Sequence, residues 1–186
     1  NYTKYIIMPT AFEEAHTTIK NLPVNDVYIL DQTNSELFSY PSIHQNFIQN
    51  IYDGLLEGKS RLDKYKKLII IFPGFREPLG MKIGFLNFCK DFGFEHEVIT
   101  EFKHRSITPG EVYVIPSDRD LVRVIEKAKS QQLTIGQDYG IISYNETPLK
   151  KIVENGIPTI STDFEQMGKI LAEMILKGRK EQIENT

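Results

Sequence analysis

Apolar positions along the chain follow two alternating rhythms. Short, nearly unbroken apolar runs at Tyr5–Met8, Val27–Leu30, Lys67–Phe72, Glu97–Glu101, Val112–Ile115, Tyr139–Ser143 and Thr159–Ser161 predict strands. Runs that do not alternate with polar residues suit parallel strands covered on both faces. Between them apolar residues recur every three or four positions, predicting helices over Ala11–Lys20, Ser42–Glu57, Leu79–Phe92, Asp120–Gln131, Pro148–Glu154 and Asp163–Lys177. Ser42–Glu57 carries its stripe on Ile43, Phe47, Ile51 and Leu55, and Gly58, Gly93 and Gly178 mark helix ends. Strand and helix alternating in this way predict a doubly wound α/β architecture with parallel sheets.

Two stretches break the rhythm. Only "FKHRSITPGE" separates the strand ending at Glu101 from the one at Val112, which is scarcely enough for a crossover containing a helix. Thr33–Pro41, "TNSELFSYP", is polar and irregular and suits a crossing between lobes better than a tight turn.

Composition narrows the field. The 186 residues are 40% hydrophobic and 25% charged, as in an ordinary globular protein, and the net charge of -3 gives no electrostatic footprint for nucleic acid. The single cysteine, Cys89, lies in an apolar pattern with Phe85, Leu86 and Phe88, which excludes a disulfide framework and a cysteine-built zinc site and fits a reducing compartment. No basic-then-apolar leader and no apolar run near membrane-spanning length is visible, so secretion and a membrane find no support.

Catalytic motifs are missing too. The sequence contains no G-x-S-x-G elbow, no G-x-x-x-x-G-K-[ST] phosphate loop, no G-x-G-x-x-G fingerprint and no H-E-x-x-H. His16, His44, His96 and His104 are scattered without a ligand partner at metal-binding spacing, so no metal and no cofactor is expected. "FPGFREPLG" at 72–80 follows a strand but lacks the lysine and hydroxyl of an anion loop.

The stretch "VIPSDRDLVRVI" at 114–125 passes from strand to helix on Ser117 and Asp118, the kind of junction where open α/β folds hold ligands. After it come a Gly-x-Asp turn, the strand ending in "SYNETP", then "PTISTD" and a last helix with "EQMGKILAEMI". This ordered set over about 70 residues resembles the effector-binding domain of the lactose-repressor (LacI/GalR) regulators. "KYIIMPT", "NDVYILDQ", "KLIIIFPG" and "KIGFLNF" fall in the same family order, so the resemblance covers essentially the whole chain. The short crossover and loosened motifs look more like the branch joined to a GntR-type winged helix.

The resemblance implies a type I periplasmic-binding-protein-like fold: parallel sheets flanked by helices in two lobes, the N-terminal one incomplete. Residues 1–34 are then the rear of the N-terminal lobe, 35–158 the C-terminal lobe, and 159–186 the return segment and terminal helix on the first lobe. The first strands of that lobe and the DNA-binding head are expected to precede Asn1.

The resemblance also assigns a site. Ser117 and Asp118 stand where the family has Asn-Asp, with the first residue reaching to a sugar. On the residues alone, either could instead simply cap the helix. Asn145 replaces a sugar-binding aspartate; its amide both donates and accepts, though turn chemistry alone accounts for it equally. Asp31, ending "VYILD", matches an aspartate that takes a sugar hydroxyl, or else merely ends a strand. A family arginine falls on Met81 with Lys82 beside it, so a bidentate clamp is missing unless Arg76 replaces it. Phe75, Tyr40, Tyr144 and Phe12 suit stacking on a pyranose, but core packing is the default for each, and only one or two of the four are expected to face ligand.

The expectation is a non-enzymatic sensory domain of a cytoplasmic, homodimeric transcription regulator. It takes a monosaccharide or sugar phosphate between its lobes and reaches DNA only through a head outside this chain. An exported solute-binding protein of the same fold and an α/β enzyme using Asp118 with Asp31 are the rivals.

Overall fold

The chain folds as two α/β units in a computed structural model that describes residues 3–9, 13–74 and 77–185. One unit holds residues 1–46 with 162–186, the other residues 47–161. The chain therefore passes between them at Asn46–Phe47 and Ser161–Thr162, whereas the sequence motifs suggest 34/35 and 158/159.

In chain order the elements are β1 (Tyr5–Ile7), α1 (Glu13–Lys20), β2 (Val27–Asp31), β3 (Ser42–Gln45), α2 (Phe47–Glu57), α3 (Lys59–Leu62), β4 (Lys67–Ile71) and α4 (Leu79–Phe92). They continue with β5 (Glu95–Ile99), β6 (Glu111–Ile115), α5 (Asp118–Ser130), β7 (Gly140–Tyr144), α6 (Pro148–Ile152), β8 (Thr159–Ile160), α7 (Phe164–Lys177) and β9 (Gln182–Asn185).

The first unit is a four-stranded sheet, β1-β2-β3-β9, parallel throughout. Successive residues of β2 point to opposite faces. Val27 and Ile29 join Ile19, Leu37 and Tyr40 on one side. Tyr28 meets Ile43, Met167, Leu171 and Met174 of β3 and α7 on the other.

Two of these strands escape the sequence pattern. Residues 42–45, expected as the start of a helix, are β3: Ile43 lies four positions before Phe47 and so continues the helical stripe, yet it is buried in the sheet. The helix begins only at Phe47. Strand β9, "QIEN", is short and mostly polar and has no apolar run to announce it.

The second unit is a five-stranded parallel sheet in the order β5-β4-β6-β7-β8. Alternate residues of β4 and β6 again serve two cores. Leu68, Ile70, Val112 and Val114 pack with Ile51, Leu55, Phe85 and Phe88 of α2 and α4. Ile69, Ile71, Tyr113 and Ile115 pack with Leu121, Val124, Ile125 and Ala128 of α5. Gly84 lets α4 lie directly on α2, since a Cβ there would stand 2.3 Å from the Ile48 carbonyl oxygen. Cys89 is buried in the α2–α4 core, and burial pushes its thiol up to about 12.

The segment after β5 crosses to β6 without a helix and fills the helix's place with side chains. Phe102 and Ile107 are buried against the α5 face. Gln131 holds the Ile107 backbone from both sides, its Oε1 accepting from the amide and its Nε2 donating to the carbonyl, each at 2.9 Å. Arg105 grips Glu97 with two bonds, 2.8 and 3.1 Å, and donates to the buried Glu111 at 3.0 Å. Glu111 also accepts from the Tyr113 hydroxyl at 2.6 Å and the Thr108 amide at 2.9 Å. These bonds replace what a packed crossover helix supplies elsewhere in the sheet.

Candidate functional site

The strand order of the second unit locates its site. The chain runs outward from β4 to β5, then returns across β4 to β6, and continues outward on the other side. Connections therefore leave the carboxyl ends of β4 and β6 in opposite directions, which opens the crevice where α/β sheets bind ligands. That edge carries Pro73 and Gly74 after β4, Pro116, Ser117 and Asp118 after β6, and Asn145 after β7.

Ser117 and Asn145 are brought to adjacent strand ends. Ile115 pairs with Ser143 in the β6–β7 register, so each residue lies two positions beyond a paired one. Ser117 occupies the cap position of α5, but its side chain makes no capping bond, which removes the reading of this hydroxyl as a cap alone. Asn145 has φ of 60°, the left-handed region that asparagine tolerates better than most residues. Its Oδ1 is buried and has no hydrogen-bond partner among the described residues. A buried carbonyl oxygen left without a donor is costly, and one at a ligand edge is where a hydroxyl from outside fits.

The residue that holds this edge together is Lys150, which sequence reasoning passed over. Lys150 is 4% exposed. Its Nζ donates to the Tyr144 carbonyl at 2.7 Å and the Asn145 carbonyl at 3.0 Å, and lies 2.8 Å from Asp118 Oδ1. All three ammonium protons are thereby used. Thr147 starts α6 by accepting from the Lys150 amide, and Pro148 occupies its first turn, so the lysine projects from a fixed helix start. Asp118 thus serves an ion pair, while its carboxylate remains largely exposed.

The first unit has a polar carboxyl edge of its own. Asp31 ends β2 with φ of 75°, and its Oδ1 accepts from Gln45 Nε2. Gln45 Oε1 accepts in turn from the Thr162 hydroxyl. Thr33 Oγ1, just beyond, is buried without a partner among the described residues. Asp31 is held in a backbone region that costs energy and is oriented by a glutamine at the end of the neighbouring strand.

Other candidates are placed elsewhere. Tyr40 is buried in the first unit's core, its hydroxyl donating to the Ile19 carbonyl at 3.0 Å, and so is not a stacking platform. Tyr144 is buried in the second unit's core with its ring 6.3 Å from that of Phe47. Core packing wins for both, since each is the inward residue of its local segment. Lys82 is half-buried on α4. Phe75, Arg76 and Phe12 lie outside the described residues. No group of three or more metal-ligating side chains occurs among the described residues, and no helix among them is long and apolar enough to cross a membrane.

No protein-family model matches the chain, and no curated protein matches it in sequence. Solved structures do match its fold. The trehalose repressor from Escherichia coli superposes with a TM-score of 0.76 at 15% identity, over 99% of this chain and 75% of that one. A LacI family transcriptional regulator from Enterococcus faecalis with bound ribose gives 0.70 at 15% identity, over 100% and 74%. One from an Arthrobacter species in complex with lactose gives 0.68 at 12% identity, over 94% and 72%. The architecture is therefore the periplasmic-binding-protein-like α/β fold of LacI-type effector domains. The sequence's leaning toward the GntR winged-helix branch finds no support among these neighbours.

Proposed function

We propose that this chain is the sugar-sensing domain of a cytoplasmic transcription regulator, and that its ligand is a monosaccharide or a sugar phosphate. The observation that carries the reading is the buried, unpartnered Oδ1 of Asn145, beside the uncapped hydroxyl of Ser117 at the switch of a parallel sheet. A sugar hydroxyl taken from water must find a partner in the protein, and these groups provide an acceptor and a hydroxyl at adjacent strand ends. Asp31, oriented by Gln45, is a separate anionic acceptor at the carboxyl edge of the first unit's own sheet. That structural neighbours named as transcriptional regulators hold ribose or lactose favours a sensor over an exported binder or an enzyme.

Regulation follows if the sugar prefers one of two conformations and so biases DNA affinity in a head outside this chain. The regulator acts as a homodimer in this reading. Helices α5 and α6, tied at their first turns by Lys150 and Asp118, expose Val122, Leu149 and Ile152, an apolar set suited to a second copy.

A thermal-shift series with ribose, lactose, trehalose and their phosphates tests the sensor. A saturable rise in Tm with at least one sugar is expected. No shift with any member of the series at millimolar concentration contradicts it.

A further inference from the structure

We infer that the second unit carries another small-molecule site, running from the amino ends of β6 and β7 along the flank of β8, and that it takes an apolar molecule bearing an anionic group. A cavity of about 460 Å³ lies among the ends of α2 and α3, the beginnings of β6 and β7, and β8. Tyr65 precedes β4, while Val112 and Gly140 stand at the amino ends of β6 and β7. These residues place one end of the cavity at the amino edge, while Thr159 and Ile160, paired with Ser143 and Tyr144, extend it along the β8 flank. The volume falls within the roughly 300–1,000 Å³ of small-molecule sites.

Its apolar walls are set by Tyr65, Val112, Ile135, Ile142 and Ile160, and the charged side chains of Arg61, Lys64 and Glu154 line it as well. An apolar ligand body removes the surface of those walls from water while its head group meets the charged side chains. One wall is also strained. Glu154, Asn155 and Gly156 all have positive φ, at 52°, 62° and 102°. The strained wall is tethered from outside by the 2.6 Å ion pair of Glu154 with Lys129. Left-handed backbone at a glutamate persists only where surrounding contacts impose it.

The charges around the cavity decide the ligand's head group. Glu154 is neutralised by Lys129, and Lys64 Nζ donates to the Gly136 carbonyl at 2.6 Å. The Arg61 guanidinium has no side-chain partner among the described residues. Two positive charges, on Arg61 and Lys64, therefore stand at the cavity without an ionic partner among the described residues and select an anionic head over a neutral or cationic one, and guanidinium holds carboxylates through paired bonds.

The test uses octanoate and octan-1-ol as probes of the whole 186-residue chain labelled with 15N. Amides of Gly58, Gly136, Gly140 and Gly156 report from the cavity, and those of Gly74 and Gly168 report from elsewhere. Octanoate is expected to shift the first group saturably, to leave the second in place, and to bind at least about tenfold more tightly than octan-1-ol. Arg61→Glu should remove that preference. The proposal is overturned by no saturable shift with octanoate, by shifts centred on Gly74 or Gly168, or by equal affinity for the acid and the alcohol in the unmutated chain.

Discussion

Lys150 and Asp118 meet at 2.8 Å, one from the first turn of α6 and the other from the first turn of α5, so a single buried ammonium joins the two elements that follow β6 and β7. The same ammonium closes on the carbonyls of Tyr144 and Asn145. Lys150→Met keeps the aliphatic length but strips three acceptors of their donor. It should lower stability by about 2 kcal/mol, because two main-chain carbonyls lose a charged partner while Asp118 can turn to water. Urea unfolding measures this. A change below about 0.5 kcal/mol would show that the lysine is not what holds the edge.

Asn145 separates ligand chemistry from backbone strain through two substitutions. Asn145→Gly removes the amide and keeps the left-handed backbone at no steric cost, so sugar affinity should fall by about 1–3 kcal/mol with little change in Tm. Asn145→Ala removes the same amide but keeps a Cβ at φ 60°, so it should be about 1 kcal/mol less stable than Asn145→Gly. Equal Tm values for the two variants would refute the strain.

The Arg105 cluster makes a pH prediction. Hydrogen bonds from Arg105 and Lys67 hold the Glu97 carboxyl down at about 2, against an ordinary value of 4.5. A group depressed in the folded state stabilises it fully above the unfolded value and loses that contribution as pH falls through the folded value. The Glu97 contribution is thus present above pH 4.5 and fades toward pH 2. Glu97 is a third exposed, so solvent and salt screen the pair and its worth is modest. Denaturant midpoints should fall less for Glu97→Gln than for the parent over this acid range. Parallel curves would show that the pairing adds nothing.

The exposed apolar set on α5 and α6 should drive self-association. Replacing Leu149 and Ile152 together by lysine places charge on side chains that are 64% and 73% exposed, so the fold should survive while a dimer is lost. Sedimentation equilibrium of parent and variant decides this. A parent that stays monomeric at all concentrations contradicts the assembly.

How much was legible depended on whether a residue's role was local. Unbroken apolar runs at Lys67–Phe72 and Val112–Ile115 announced parallel strands because both faces of each are buried. β3 was hidden by Ile43, whose spacing to Phe47 fits a helix as well as a strand, and β9 by a polar sequence whose strand character comes from pairing with β3. Ser117 and Asn145 stood out because a motif carried them, and the register put them at adjacent strand ends. Lys150 did not stand out, since "PLKKI" gives no hint which lysine turns inward. That is settled by the carbonyls and the carboxylate that tertiary structure gathers around it. Gln45 escaped for the same reason, and the rings of Tyr40 and Tyr144 stay open between core and ligand in the sequence because aromaticity alone does not distinguish a core from a platform.

In the proposed function the chain binds a sugar and leaves it unchanged. Isothermal titration of the 186-residue chain with ribose, lactose, trehalose and their phosphates, followed by chromatographic recovery of the sugar, addresses both halves at once. Saturable one-to-one heat is expected with at least one of them, weakened in Asn145→Gly, with the sugar recovered unchanged. Absence of binding across the panel, or binding indifferent to Asn145→Gly, or conversion of the sugar during the titration would contradict it.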